Sequence, residues 1–311
     1  LVIAGAANNL IGGESTGARN LISGNGLDGI ALEDAGTSSN RILGNFIGTD
    51  VDGLQSLANG ENGIGLLQAK NNRIGGESTG ARNLISGNIY SGVKIQGADA
   101  TDNRVLGNFI GVNVSGAGAL GNGEAGVALL VGANHNIIGS ETTGARNLIS
   151  GNAQYGVILQ DINTSHNQIS GNYIGVDVTG AQDLGNGERG ILLISGPSNN
   201  FIGNETAGAG NLVASGAPQV ISGNDLTGIA LTGAGTNQNE VKGNIIGADV
   251  TGSAAVGNGE DGIVISNGAS QNIIGGTTPG ARNLIAGNGD DGIYLQDAGT
   301  IGNQILGNWI G

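Results

Sequence analysis

Short apolar runs punctuate this chain at regular intervals, each three to five residues long and fenced by Gly, Asn, Asp and Ser. From Asn9 to Ser39 they are Leu10-Ile11, Leu21-Ile22-Ser23 and Gly29-Ile30-Ala31-Leu32. From Asn40 to Asn71 they are Arg41-Ile42-Leu43, Phe46-Ile47-Gly48 and Gly63-Ile64-Gly65-Leu66. Helices need about ten or more residues to form, and glycine at this density penalises them. Short β-branched runs bounded by turn residues predict strands. In the third run of each unit, alternate positions stay apolar: Ile30/Leu32, Ile64/Leu66, Val93/Ile95, Val127/Leu129, Val157/Leu159, Ile191/Leu193, Ile229/Leu231, Ile263/Ile265 and Ile293/Leu295. The positions between them vary and include Lys94, so the constant pair points inward and the variable residue outward. Ile158, Leu192, Ile194 and Val264 are outward yet apolar, which suggests a lateral contact.

The units are counted by Asn9, Asn40, Asn72, Asn103, Asn136, Asn167, Asn200, Asn239, Asn272 and Asn303, each opening the phrase Asn-x-Ile/Val-x-Gly or a close variant. A period of 31 to 33 residues, with one longer step of 39, indicates units that cannot bury an apolar face alone and stack on their neighbours. Three strands per unit at fixed period predict an all-β fold, a parallel β-helix of about ten coils. At one strand spacing per coil it is roughly 45–50 Å long. Residues 1–311 form a single continuous array, expected to be a segment of a longer protein or filament. Two coil types alternate: one carries extra residues at Glu14–Arg19, the other between Thr49 and Asn62. The long step reflects a surface-loop insertion near 213–220. The asparagine amide both donates and accepts, and the residue tolerates the left-handed backbone of a tight turn. Stacked asparagines therefore predict a hydrogen-bonded ladder along the axis.

Composition narrows the class. Gly is abundant (64 residues) but follows no three-residue period, and Pro occurs 3 times, which excludes collagen. Cysteine is absent, so neither disulfides nor thiol chemistry contribute. Acidic residues outnumber basic ones 25 to 11, for a net charge of −14. That balance argues against nucleic acid as a partner and against an anionic membrane. No long apolar run predicts membrane insertion. An acidic, cysteine-free solenoid suits an extracellular or cell-surface setting.

The phrases Asn-Leu-Ile-Gly-Gly-Glu-Ser-Thr-Gly-Ala-Arg-Asn-Leu-Ile-Ser-Gly-Asn and Gly-Asn-Phe-Ile-Gly-Thr-Asp resemble right-handed parallel β-helix repeats of the pectate-lyase-like superfamily. They are most similar to the repeat arrays of large secreted or cell-surface bacterial proteins. The resemblance covers essentially the whole chain and implies the right-handed fold. It leaves function open, because lyases, hydrolases, epimerases, tailspikes and adhesins share that fold.

Candidate chemistry recurs from coil to coil. Arg19, Arg82, Arg146 and Arg282 share one loop position, with Gly210 in the fifth copy. A lyase of the family would use one Arg or Lys as base, beside clustered Ca²⁺-binding carboxylates. Four equivalent arginines instead predict loop-bracing ion pairs with residues such as Glu14, Glu77 and Glu141. Asp50, Asp52 and Glu61 recur as Asn113 and Glu124, as Asp177 and Glu188, and as Asp249 with Glu260 and Asp261. Hard cations take six to eight oxygen ligands, so these loops are candidate weak Ca²⁺ sites; the competing role is turn chemistry. His135 and His166 precede ladder asparagines of adjacent coils and should stack one strand spacing apart. Phe46, Phe109, Tyr173, Ile245 and Trp309 share one strand position, whose orientation the sequence leaves open.

No coil departs from the others to assemble a unique site. The expected function is a non-enzymatic extracellular structural solenoid: a stalk, fibre, filament or adhesin segment without a cofactor. Its partners would be neighbouring copies or further repeats stacked end to end, and cell-surface glycan. The alternatives are a polysaccharide-active enzyme of acidic glycans, for which two carboxylates must flank a groove, and a glycan-binding module.

Overall fold

The computed structural model describes residues 1–203 and 218–311. Among the described residues thirty short strands form three ten-stranded sheets in which every pairing between strands is parallel. The chain visits the sheets in rotation, with strands such as Ile30–Glu33 in the first, Arg41–Leu43 in the second and Phe46–Ile47 in the third. Each strand pairs with its equivalents one coil before and one coil after. Thus Ile64 lies between Ile30 and Val93, and Gly65 between Ala31 and Lys94. Among the described residues helix is confined to four single 3₁₀ turns, Thr16–Ala18, Thr79–Ala81, Thr143–Ala145 and Pro279–Ala281.

One apolar column fills the solenoid. A middle coil contributes Ile64 and Leu66 from the first sheet, Ile74 from the second and Ile85 from the third, all sealed from solvent. Burying each such side chain stabilises the fold by about 1.5–3 kcal/mol. The inward pairs read from the sequence are these residues. The outward residues Ile158 and Leu192 are also buried, under a small cluster with Ala125, Leu130, Tyr155 and Ile194. Within the molecule the apolar character of these two is met by that cluster, while Ile194 and Val264 stay half-buried. A glycine precedes each first-sheet strand from Ile30–Glu33 onward because backbones approach closely there. At Gly92 a Cβ would sit 2.7 Å from the Gly126 carbonyl oxygen and 2.7 Å from Ile110 Cγ2.

The asparagine ladder forms as expected. The backbone N of Asn103 donates to Asn136 Oδ1 at 2.9 Å, and its Nδ2 donates to the same oxygen at 3.0 Å. That Nδ2 also reaches the Ala69 carbonyl at 2.9 Å. Equivalent bonds link Asn9 through Asn40, Asn72, Asn103, Asn136, Asn167, Asn200, Asn239, Asn272 and Asn303. The backbone detail differs from the expectation. The left-handed residue is the one before the ladder asparagine, as at Ser39 (φ 58°), Asp102 (φ 58°) and His135 (φ 55°). This kink aims the following amide along the axis.

Two further ladders stand at the other corners. One runs from Asn20 through Asn45, Asn83, Asn108 and Asn147 to Asn172, and resumes from Asn244 through Asn283 to Asn308. The other runs from Asn25 to Asn288. Gln219 takes the place of asparagine in the first of these. Of the inserted region, Gln219–Ile221 is a strand between Tyr173–Ile174 and Asn244–Ile246; residues 213–217 lie outside the described residues.

Candidate functional site

The shared aromatic position faces out of the solenoid and is covered. Phe46, Phe109 and Tyr173 are buried, and with Leu84, Leu148, Val220 and Ile245 they form a second apolar column on the outer face of the third sheet. Trp309, in the last coil, is 40% exposed. The long loop of the second coil type supplies the cover. It folds back on itself through antiparallel bridges such as Thr49 to Ser56 and Val176 to Asp183. Its tip glycine rests on the ring: at Gly180 (φ +72°) a Cβ would meet Tyr173 Cζ at 2.8 Å.

The four loop arginines complete that cover. The guanidinium carbons of Arg19, Arg82 and Arg146 lie 4.0 Å from the ring centroids of Phe46, Phe109 and Tyr173, and that of Arg282 lies 4.5 Å from Trp309. Each Nε donates to a turn carbonyl, Gly44, Gly107, Gly171 and Gly307 in turn. The expected ion pairs with Glu14, Glu77 and Glu141 are replaced by these contacts, and Glu14 instead accepts from Ser78 Oγ. A cation over an aromatic face gains from the ring quadrupole, and more so when desolvated. Burial pushes Arg82 and Arg146 below the usual guanidinium pKa. The sequence carried a signal for this pairing: the coil with Gly210 in place of arginine is followed by Ile245 in place of an aromatic.

The candidate calcium residues split into two groups. Asp50, Asp177 and Asp249 brace their own loops. Asp50 Oδ1 accepts from the N–H groups of Leu54 and Gln55. Asp177 Oδ1 accepts from Thr179, Ala181 and Gln182, and Asp249 from Thr251, Ser253 and Ala254. In Asp50 the backbone hydrogen bonds hold the pKa below the usual value. In Asp177 and Asp249 burial opposes the shift, but hydrogen bonds outweigh it and the net direction is down. The glutamates lie at the far end of the loops, beside the first sheet. Glu124 accepts from Ser91 Oγ, Glu260 from Thr227 Oγ1, and Glu188 pairs with Arg189 at 3.4 Å. Asp52 is exposed at the loop tip, and Glu61 lines a groove with Asp28, Glu33 and Lys94. Among the described residues no three His, Asp or Glu side chains come together in a group that could hold a metal.

His135 and His166 stack as their spacing predicts, with ring centroids 5.0 Å apart and planes within 4°. His135 Nδ1 lies 2.7 Å from Asn134 Oδ1, and His166 Nδ1 lies 3.2 Å from Ser165 Oγ. Beside them the second sheet carries an outward row that sequence reading did not single out. Arg41, Arg73 and Arg104 stand in register on three successive strands. Each was hidden as the first residue of a strand-like run, where only alignment of the coils reveals the stack.

No known family model matches the sequence, and no curated protein matches it. Among solved structures the chain is similar to a mutant of the periplasmic alginate epimerase AlgG, at 13% identity and a TM-score of 0.56, over 89% of this chain and 55% of that one. It is similar to AlgG without mutation at 11% identity and a TM-score of 0.41, over 90% of this chain and 55% of that one. The Dettilon tailspike protein aligns at 15% identity and a TM-score of 0.35, over 95% of this chain and 59% of that one. The chain thus spans little more than half the length of these proteins. At 13% identity what is shared with the epimerase is the fold. With three parallel ten-stranded sheets wound around one apolar column, the chain is a right-handed parallel β-helix of about ten coils.

Proposed function

We propose that the protein is a non-enzymatic, extracellular structural solenoid, a stalk, fibre or adhesin segment. One observation carries this reading: the loop arginines, loop aspartates and ladder asparagines do the same structural task wherever they recur. The loop arginines lie over rings, the loop aspartates cap their own turns, and the asparagines form axial ladders. A catalytic site needs groups that differ from their coil equivalents and converge on one place. The partners of such a solenoid are further coils of the same kind on its axis, in the same polypeptide or in another copy, with cell-surface glycan alongside. It requires no cofactor. The acidic, cysteine-free composition supports the extracellular placement, and the epimerase that shares the fold is named as periplasmic. Among the described residues no helix is long and apolar enough to cross a membrane.

Likeness to an alginate epimerase favours a second reading, a polysaccharide-active enzyme. A panel of uronate, sulfated and neutral glycans, incubated with and without Ca²⁺, separates the two. The structural role predicts unchanged chain length and unchanged sugar configuration in every case. Cleavage or epimerisation of any glycan abolishes that role in favour of the enzyme. Activity that appears only with Ca²⁺ would make the ion part of that reaction.

A further inference from the structure

The outer face of the second sheet carries a feature that none of these roles uses. Arg41, Arg73 and Arg104 occupy one position on three successive strands, in register. Neighbouring strands lie about 4.8 Å apart, so the stems of three guanidinium groups form a row about 10 Å long on the solenoid axis. Lys70 is exposed on the turn leading into Arg73 and adds a fourth cation at that corner. Among the described residues, none of the three arginines has a carboxylate at ion-pairing distance.

Like charges directly opposite one another destabilise a sheet. Elsewhere the row is filled by Leu10, Ile137, Gln168, Phe201, Glu240, Ile273 and Gln304, so the fold does not require arginine there, and the one carboxylate, Glu240, stands four coils beyond Arg104. Four of the other arginines are laid over rings. In a protein of net charge −14, this is where outward positive charge is concentrated. Arg73 is held in place by its Nε, which donates to the Gly75 carbonyl at 3.0 Å. Beside it lies a groove of about 280 Å³ bordered by Arg73, Arg104, Asn71, Asn72 and His135, with Asp102 its one carboxylate.

The geometry points to a binding site for an anionic glycan, a single polysaccharide chain lying along the axis with one carboxylate or sulfate on each sugar. A guanidinium fork matches either group through two parallel hydrogen bonds. An extended acidic peptide fits less well: its same-face side chains recur every ~6.6 Å, against ~4.8 Å for the row. A DNA duplex or an anionic membrane presents a broad negative surface, which the remaining acidic surface repels. A single glycan strand meets the row alone. The site rests on the extracellular placement proposed above and on no other part of that reading.

The test measures binding of the whole chain to dextran sulfate, polygalacturonate and neutral dextran by calorimetry at low salt. Arg41→Gln, Arg73→Gln and Arg104→Gln are combined in a triple variant, and circular dichroism and thermal melting check its fold. Arg73→Gln alone is compared with Lys94→Gln, the same charge change on the first sheet. Binding to one or both anionic glycans and not to dextran is expected, with a loss of tenfold or more in the triple variant. Arg73→Gln should weaken binding more than Lys94→Gln, and affinity should fall with salt. The proposal is overturned by no anionic-glycan binding, by a folded triple variant that still binds, or by equal effects of the two single variants. Equally tight, arginine-dependent binding of a DNA duplex would also overturn it. None of these results bears on glycan cleavage, so the structural role stands or falls separately.

Discussion

The guanidinium of Arg146 lies over the ring of Tyr173, 4.0 Å from its centroid, while its Nε is tied to the Gly171 carbonyl at 3.3 Å. The arginine comes from the short loop of one coil type and the ring from the following coil of the other type. The contact therefore links the two coil types along the stack. It repeats at Arg19 with Phe46, Arg82 with Phe109 and Arg282 with Trp309.

A double-mutant cycle measures that link. Arg146→Gln and Tyr173→Leu should each destabilise the fold, and their coupling should be about 1 kcal/mol, as for a partly desolvated cation–π pair. Denaturant unfolding of the wild type, both singles and the double gives the value. Strict additivity would show that the stacking is incidental to stability.

The middle of the first ladder should be far more sensitive than its end. Asn103→Ala removes the oxygen that accepts from the backbone N and Nδ2 of buried Asn72. Leaving a buried donor unpaired costs about 1–3 kcal/mol. Asn9 is exposed, so Asn9→Ala should cost under about 1 kcal/mol. Similar melting temperatures for the two variants would contradict the ladder's role.

Gln219 interrupts the second ladder. Asn172 Nδ2 reaches Gln219 Oε1 at 3.3 Å, but Gln219 Nε2 and Asn244 Oδ1 are buried without partners. The side chain is one methylene too long to repeat the geometry of Asn45 with Asn83. Gln219→Asn should pair both groups and stabilise the protein by about 1–2 kcal/mol. An unchanged or lower unfolding midpoint would refute this.

Acid should loosen the loop cover before the core. Asp177 has a pKa below its ordinary 3.8: burial acts against the shift, and hydrogen bonds from Thr179, Gln182 and Ala181 prevail. Its stabilising effect is present above about pH 4 and is lost as pH falls through the lowered folded-state value. Asp177→Asn should flatten that part of the stability–pH curve. Asp261 has the opposite sign, raised first by burial and then by Asp291, Asp290 and Glu260. Its charged form is disfavoured in the fold, so its contribution becomes more favourable as pH falls through the raised value. Asp261→Asn should raise the melting temperature at pH 7 and change little at pH 3. Asn62 occupies the equivalent place and already accepts from the backbone N of Ser91 at 3.1 Å, so the amide fits.

Much of the fold was legible because a coil is written many times over. Comparing Ile30, Ile64, Val93 and Val127 within one chain exposes the inward position directly. The Asn-x-Ile/Val-x-Gly phrase marks one corner equally well. The second and third ladders were harder to see because nearly all their asparagines follow glycine or arginine in the turns and look like ordinary turn residues. Side-chain partners were less legible still. Glu14 lies five residues before Arg19, which suggested an ion pair, whereas the ring that Arg19 covers belongs to the next coil.

By itself, the sequence determined the architecture: the coil count, the three strands, the inward residues and the first ladder. These follow from periodicity, since each unit completes its neighbour's hydrogen bonds and apolar face. Only the tertiary structure decided which way the Phe46 position faces, what the loop arginines touch, and that Arg41, Arg73 and Arg104 form one row. Those relationships join residues a full coil apart, and both their distance and their cover depend on how loops fold over the outside of the stack. A strand's alternation fixes two faces, but it does not say which outer face a loop will bury.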